Sequence, residues 1–173
     1  MAVLPGYLAP GLRVVFCGTA VSTTSAARGH YYAGPGNEFW PFLHQSGLTP
    51  VRLTPDQDAC ILEFGLGLTD LAKSVAASSD AGLGSHYDID AVVEKIERFA
   101  PRWLAFHGKT AGGVASNALG HGAAVTLGEQ PWSVGSSPVF VLPSAGAANR
   151  DPKRLEGRAS RVDWFRDLAA LAG

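Results

Sequence analysis

The sequence predicts an α/β fold, a three-layer αβα sandwich around a short, mostly parallel twisted sheet, within a single domain over residues 1–173. Short apolar runs bounded by Gly or Pro are typical of buried central strands, and they occur at residues 13–17, 103–106 and 139–142. Segments with helical spacing of apolar residues lie between and after these runs. Such alternation indicates βαβ units with helices on both faces of the sheet.

The spacing predicts four helices, over residues 38–45, 55–64, 89–99 and 162–171. Pro41 falls in the first turn of the first helix, where its missing N–H costs no hydrogen bond. Gly65 follows the second helix and Pro101 ends the third. Residues 76–87 are rich in Ser, Ala and Gly, and we expect them to form a mobile surface loop.

Composition and charge narrow the function classes. Hydrophobic residues make up 46% of the 173 and charged residues 17%, which is typical of a compact globule rather than a disordered chain. The net charge of -1 gives no overall attraction to nucleic acid or to a membrane. Six of the 14 basic residues, however, lie between Arg150 and Arg166. This segment is either a solvated helix surface or a local phosphate-binding edge.

Several chemistries are excluded by their missing motifs. Cys17 and Cys60 are far apart and form no CxxC pair, and the five His residues show no metal-ligand spacing. No segment resembles a signal peptide or is long enough to span a bilayer. We therefore expect a cytoplasmic protein with reduced thiols and with neither a zinc site nor a redox motif. A phosphate-binding P-loop ending at Thr110 is also excluded, because Trp103 stands where the first glycine is required.

Three loops are expected to follow strand-like segments, at residues 18–25, 67–71 and 142–150. Loops at the carboxyl ends of parallel strands build the ligand pocket of an α/β protein. The last loop consists of small residues that run into a basic stretch, and its backbone N–H groups would suit a phosphate. His107 follows an apolar run and faces this pocket or, alternatively, makes structural hydrogen bonds.

These segments resemble the mismatch-specific uracil/thymine-DNA glycosylases of the uracil-DNA glycosylase superfamily. The family loop Gly-Ile-Asn-Pro-Gly-Leu-Ser-Ser is matched by residues 18–25, and Asn-Arg-Phe-Trp is matched by residues 37–40. A Gly-x-Thr-x-Leu segment corresponds to residues 67–71, and Leu-Gly-Lys corresponds to residues 107–109. The DNA-penetrating loop Leu-Pro-Asn-Pro-Ser-Gly-Leu-Ser-Arg falls on residues 142–150.

The resemblance implies a monomeric repair enzyme that flips uracil, or another deaminated base, out of single- or double-stranded DNA and hydrolyses its N-glycosidic bond, leaving an abasic site. No metal or organic cofactor is implied, because this hydrolysis needs only water. The residues implied for base binding are Gly18, Thr19, Ala20, Ser25, Tyr32, Asn37 and Phe39. The residues implied or expected for DNA binding are Lys109, Ser144, Ala145, Gly146, Ala147, Ala148, Arg150 and Lys153. Tyr32 occupies the stacking position, although Tyr31 and Tyr32 could instead be packing residues.

The sequence departs from the family pattern at three positions that would act on the base or the DNA. The water-positioning asparagine falls on Ala20, the wedge leucine near Ala148, and the asparagine of the last loop on Ser144. In one interpretation the chain is an active glycosylase that uses another polar group. Asp70 is then the first candidate, unless it only caps a helix, and His107 and Asn149 are further candidates.

In a second interpretation catalysis is lost and a module that binds damaged bases or DNA remains. In a third, the chain is an unrelated α/β protein that binds a small molecule or a nucleotide. Salt-dependent DNA binding would separate the second from the third.

Overall fold

The computed structural model describes residues 1–173 and contains one five-stranded sheet. The strands are β1 (Val14–Gly18), β2 (Leu66–Asp70), β3 (Trp103–His107), β4 (Gly128–Val134) and β5 (Ser137–Leu142), in the spatial order β2-β1-β3-β5-β4. All neighbouring pairs are parallel except β4 and β5, which form an antiparallel pair. The predicted fold class is confirmed.

The α-helices are α1 (Thr23–Arg28), α2 (Phe39–Gln45), α3 (Ile89–Phe99), α4 (Lys109–Ala118) and α5 (Arg161–Ala172). Three 3-10 segments cover Pro55–Phe64, Gly84–His86 and Pro152–Arg154. The second predicted helix is therefore a 3-10 segment, and it is kinked at Gln57. Helix α4 was not predicted because Gly112 and Gly113 lower its intrinsic propensity. Gly112 lets this helix approach β5, since a Cβ there would lie 2.8 Å from a methyl group of Val141.

The prediction of a loop at residues 67–71 is wrong. This segment forms strand β2, and all five of the strand's residues are buried. Its outer edge is covered by the N-terminal segment, where Tyr7 exchanges backbone hydrogen bonds with Leu68. A Cβ at Gly67 would lie 2.5 Å from the carbonyl oxygen of Tyr7. The glycine that made the segment look like a loop is thus the residue that admits this covering chain.

The core lies on both faces of the sheet, as expected for three layers. Phe16 points to one face, where helices α2 and α5 pack, while Val15 and Cys17 point to the face covered by α3 and α4. Because β1, β2, β3 and β5 are parallel, their carboxyl ends meet along one edge of the sheet. None of the helices has the length and apolar character that a membrane crossing requires.

Candidate active site

A cleft of about 450 Å³ opens at the carboxyl ends of the parallel strands. Its volume is in the range of small-molecule sites. Most of the predicted site residues line it: Gly18, Thr19, Ala20, Ser25, Tyr32, Asn37, Asp70, His107, Lys109, Ser144, Gly146, Ala148 and Asn149. The other predicted residues, Phe39, Ala145, Ala147, Arg150 and Lys153, lie outside its lining.

Tyr32 forms an aromatic wall of the cleft. Its ring lies 4.0 Å from the ring of Phe39 at an interplanar angle of 31°, and 4.8 Å from the ring of His107. Phe39 is completely buried, so it supports Tyr32 from behind and cannot itself contact a ligand in this conformation. Tyr32 has a φ of 52°, a strained conformation for a bulky residue. Its hydroxyl is buried without a hydrogen-bond partner, and this burial raises its pKa.

Two of the predicted base-binding residues hold this aromatic segment in place. The Oγ of Ser25 accepts a hydrogen bond from the backbone N–H of Ala33 at 3.0 Å, next to Tyr32. The Oδ1 of Asn37 accepts one from the N–H of Phe39 at 2.9 Å. Both side chains therefore shape the wall of the cleft as well as lining it.

His107 is the last residue of β3, and its imidazole ring is neutral. Its Nε2 accepts a hydrogen bond from the backbone N–H of Ala145 at 3.0 Å. Burial, and secondly the nearby Arg161 guanidinium, lower the pKa of His107 to about 3. A neutral imidazole whose Nε2 is an acceptor carries its proton on Nδ1. Since the ring lines the cleft and Nδ1 has no partner within the protein, this N–H is available to a ligand.

Asp70 ends β2 at the floor of the cleft and is only 3% exposed. Its Oδ2 forms an ion pair with Nζ of Lys73 at 3.2 Å, and Lys73 also donates a hydrogen bond to the hydroxyl of Tyr31 at 2.6 Å. Burial raises the pKa of Asp70, and Lys73 opposes that rise. A Cβ at Gly18 would lie 3.0 Å from Oδ1 of Asp70, so glycine admits the carboxylate at this point. The helix-cap alternative is wrong, because no helix follows Asp70 and its side chain accepts no backbone N–H.

The loop at residues 142–150 is fixed from below by Arg161, a residue that the sequence analysis did not single out. Its Nη1 donates hydrogen bonds to the carbonyl oxygens of Ser144 at 2.9 Å and Gly146 at 2.8 Å, and its Nη2 pairs with Glu38. The Nδ2 of Asn149 donates to the carbonyl of Ser144 at 3.0 Å, so Asn149 also ties the loop together.

Two backbone N–H groups of this loop, which the sequence predicts to suit a phosphate, already have acceptors within the protein. The N–H of Ala145 is already bonded to His107, and that of Gly146 to the Oγ of Ser144 at 3.1 Å. Ala145 is fully buried, and its carbonyl accepts the N–H of Glu38. These two groups therefore serve the loop itself.

Most cations of the basic stretch are paired. Arg150 binds Glu38 at 3.3 Å, and the predicted contact Lys109 binds Glu156 at 2.9 Å. Lys153 and Arg154 make no ion pair, and Arg154 lines the cleft although the sequence analysis did not select it. The free positive charge at this edge is thus concentrated in two adjacent residues.

The segment at residues 77–80 forms another part of the wall. The sequence predicts this segment as part of a surface loop and does not predict that it borders the cleft. The N–H of Ala77 donates a hydrogen bond to the carbonyl of Val21 at 3.0 Å and connects the segment to the loop after β1. Thr19 donates a hydrogen bond through Oγ1 to Oδ1 of Asp80 at 2.7 Å, and Asp80 also lines the cleft. No cluster of three His, Cys, Asp or Glu side chains that could hold a metal ion is present.

Comparison with known proteins identifies a family and a similar fold. The profile of the Uracil DNA glycosylase superfamily matches residues 5–169. The solution NMR structure of a Methanosarcina acetivorans protein, named as a proposed uracil DNA glycosylase, is similar to this fold with a TM-score of 0.59. The two sequences are 22% identical, and the alignment covers 96% of each chain.

The fold is α/β, and its polar cleft lies at the carboxyl ends of the parallel strands. Since the superfamily profile covers nearly the whole chain, the protein belongs to the Uracil DNA glycosylase superfamily.

Proposed function

We propose that the protein is a monofunctional DNA glycosylase, which takes uracil out of the DNA stack and hydrolyses its N-glycosidic bond to leave an abasic site. The observation that carries this proposal is the place of His107, whose ring lines the cleft beside Tyr32 and whose Nε2 accepts the backbone N–H of Ala145, which leaves Nδ1 as the donor of the neutral ring. Membership of the superfamily supports the same reaction class.

The wall of the cleft suits a flat base. A pyrimidine that leaves the duplex loses its stacking neighbours, and an aromatic ring replaces them. Tyr32, which Phe39 supports on one side, offers such a surface. Gly18, Thr19 and Ala20 lie along the same cleft and bring backbone groups and one hydroxyl to the rim of the base.

A hydrogen-bond donor in the cleft can stabilise the base as it departs. When the glycosidic bond breaks, its electron pair moves onto the base, and negative charge grows on the base oxygens. A donor that is already oriented stabilises that charge most effectively, and a neutral imidazole N–H can do this without attracting the substrate's phosphates. We assign this role to His107, while Asp70 contacts an N–H of the base from the floor of the cleft.

The final loop would contact the DNA strand. Ser144, Gly146, Ala148 and Asn149 lie along the mouth of the cleft, and Arg150 is held beside them by Glu38. Ala148 is too small to fill the space that a flipped base leaves in a duplex. We therefore expect the enzyme to favour single-stranded uracil-DNA.

The test is a single-turnover cleavage assay with a fluorescent oligonucleotide that contains one uracil, followed by alkali treatment. The matched control is the same oligonucleotide with thymine in place of uracil. The proposal predicts a cut at the uracil position only, with the single strand cut faster than the duplex. If no strand is cut with a large excess of protein, the enzymatic proposal is wrong.

The same samples address the inactive alternative. A protein that binds uracil-DNA more tightly than the thymine control, yet never cuts it, would be a base-binding module. A protein that binds neither oligonucleotide but binds free nucleotides would be a nucleotide-binding protein of this fold.

A further inference from the structure

Two carboxylates border the cleft, and they lie at different depths. Asp70 is buried at the floor and is paired with Lys73. Asp80 is exposed at the mouth, with Oδ1 bonded to Thr19 and no hydrogen bond at Oδ2. The two acids therefore meet different parts of any ligand that enters the cleft.

The position of Asp80 is set by contacts between two segments of the wall. Thr19 donates to Asp80 at 2.7 Å, the hydroxyls of Thr23 and Ser78 share a hydrogen bond at 2.6 Å, and the N–H of Ala77 donates to the loop at 3.0 Å. These contacts bring the carboxylate to the loop that contains Ala20, whose methyl group supplies no polar atom. Asp80 is thus the acidic group at this part of the rim.

The orientation of a flipped nucleotide follows from its attachment to the strand. The base enters first and reaches the floor, whereas the sugar stays near the mouth because the phosphate backbone remains outside. A group that acts on the sugar carbon must consequently lie at the mouth. Asp70 is too deep for this task, and Asp80 is at the required depth.

We infer that Asp80 is the catalytic residue that holds the attacking water, and that Thr19 is its positioning residue. This inference rests on the proposed glycosylase function. The bond between the sugar carbon C1′ and the base nitrogen breaks, and its electron pair leaves with the base. The water oxygen then bonds to C1′, and one water proton passes to the Asp80 carboxylate and from there to solvent or to the departed base. The products are the free base and an abasic site with a hydroxyl at C1′.

The experiment compares single-turnover rates and affinities for single-stranded uracil-DNA across four variants. Asp80→Asn removes the proton acceptor and Asp80→Ala leaves space for an added carboxylate. Thr19→Val removes the positioning hydroxyl at nearly constant volume. Asp90→Asn is the charge-matched control, since Asp90 is exposed on α3 and lies outside the cleft lining.

The expected result for Asp80→Asn is a rate about 10²–10⁴-fold lower, with the affinity for uracil-DNA within about threefold of the wild type. Added formate should restore part of the rate of Asp80→Ala, which a structural role would not explain. Thr19→Val should give an intermediate loss of rate, and Asp90→Asn none.

Two results separate this inference from the function on which it rests. If the wild type cuts uracil-DNA and Asp80→Asn cuts it equally fast, the assignment of Asp80 is wrong and the proposed function stands. If the rate and the affinity of Asp80→Asn fall together and formate rescues nothing, the residue only supports the wall. If the wild type cuts nothing, the proposed function itself fails.

Discussion

Replacing His107 with glutamine should change how the free energy of unfolding depends on pH. In the folded protein the pKa of His107 is about 3, whereas its ordinary value is 6.5. Between these values the unfolded chain takes up a proton that the folded protein excludes, so acidification favours unfolding. The stability that comes from the neutral imidazole is complete above pH 6.5 and is lost progressively as the pH falls towards 3.

The size of the effect follows from the same numbers. One pH unit corresponds to about 1.4 kcal/mol. Between pH 7 and pH 5 the wild type should therefore lose about 2 kcal/mol through His107 alone. The glutamine variant has no such titration. Any stability that the variant itself loses at the hydrogen bond to the N–H of Ala145 does not depend on pH in this range and cancels in the comparison.

Urea unfolding followed by fluorescence of the four Trp residues measures these free energies. The difference between the wild type and His107→Gln is recorded at both pH values, so that the effects of all other titrating groups cancel. The expected result is that the advantage of the wild type shrinks by about 2 kcal/mol at pH 5. An advantage that is the same at both pH values would refute the neutral, buried state of His107 and, with it, the donor role.

Three further changes test other parts of the site. Tyr32→Phe should leave the free energy of unfolding unchanged or higher, because the lost hydroxyl has no hydrogen-bond partner; a urea unfolding curve measures this. Tyr32→Ala should weaken uracil-DNA binding by about 1–3 kcal/mol in a fluorescence anisotropy titration, and unchanged binding would make the ring a packing residue. Arg161→Met should lower the free energy of unfolding by about 2–3 kcal/mol, since Glu38 and two carbonyls lose a buried charged donor; an unchanged urea midpoint would contradict this. The double change Lys153→Ala and Arg154→Ala should reduce the slope of the log DNA-binding constant against log salt concentration by about 1–2. The control Arg166→Ala should reduce this slope less, because the cation of Arg166 is paired with Asp163. Equal slopes for the wild type and both variants would place the DNA elsewhere.

Most of the fold was predictable because the central strands are apolar and the longest helices keep their spacing. The strand β1 and the helix α3 were predicted within one residue at each end. Strand β2 was missed because Gly67, Thr69 and Asp70 interrupt its apolar pattern. These residues are buried in the fold, and the N-terminal segment that covers the strand is not apparent from the local sequence.

The candidate site was predictable only in part, and for a related reason. Residues at the ends of parallel strands converge whatever their spacing in the chain, so Gly18 and His107 could be assigned to one cleft. The ion pair between Arg161 and Glu38 joins residues 123 positions apart and leaves no local signal. Asp80 lies in a segment without helical or strand periodicity, and its place in the cleft depends on its hydrogen bond to Thr19.

A crystal structure of the protein with uracil bound tests the roles of Tyr32 and His107 most directly. We expect the pyrimidine ring to lie parallel to Tyr32, with an oxygen of the base within hydrogen-bond distance of Nδ1 of His107. Uracil bound elsewhere, or a cleft occupied by the protein's own side chains in crystals soaked with saturating uracil, would contradict it.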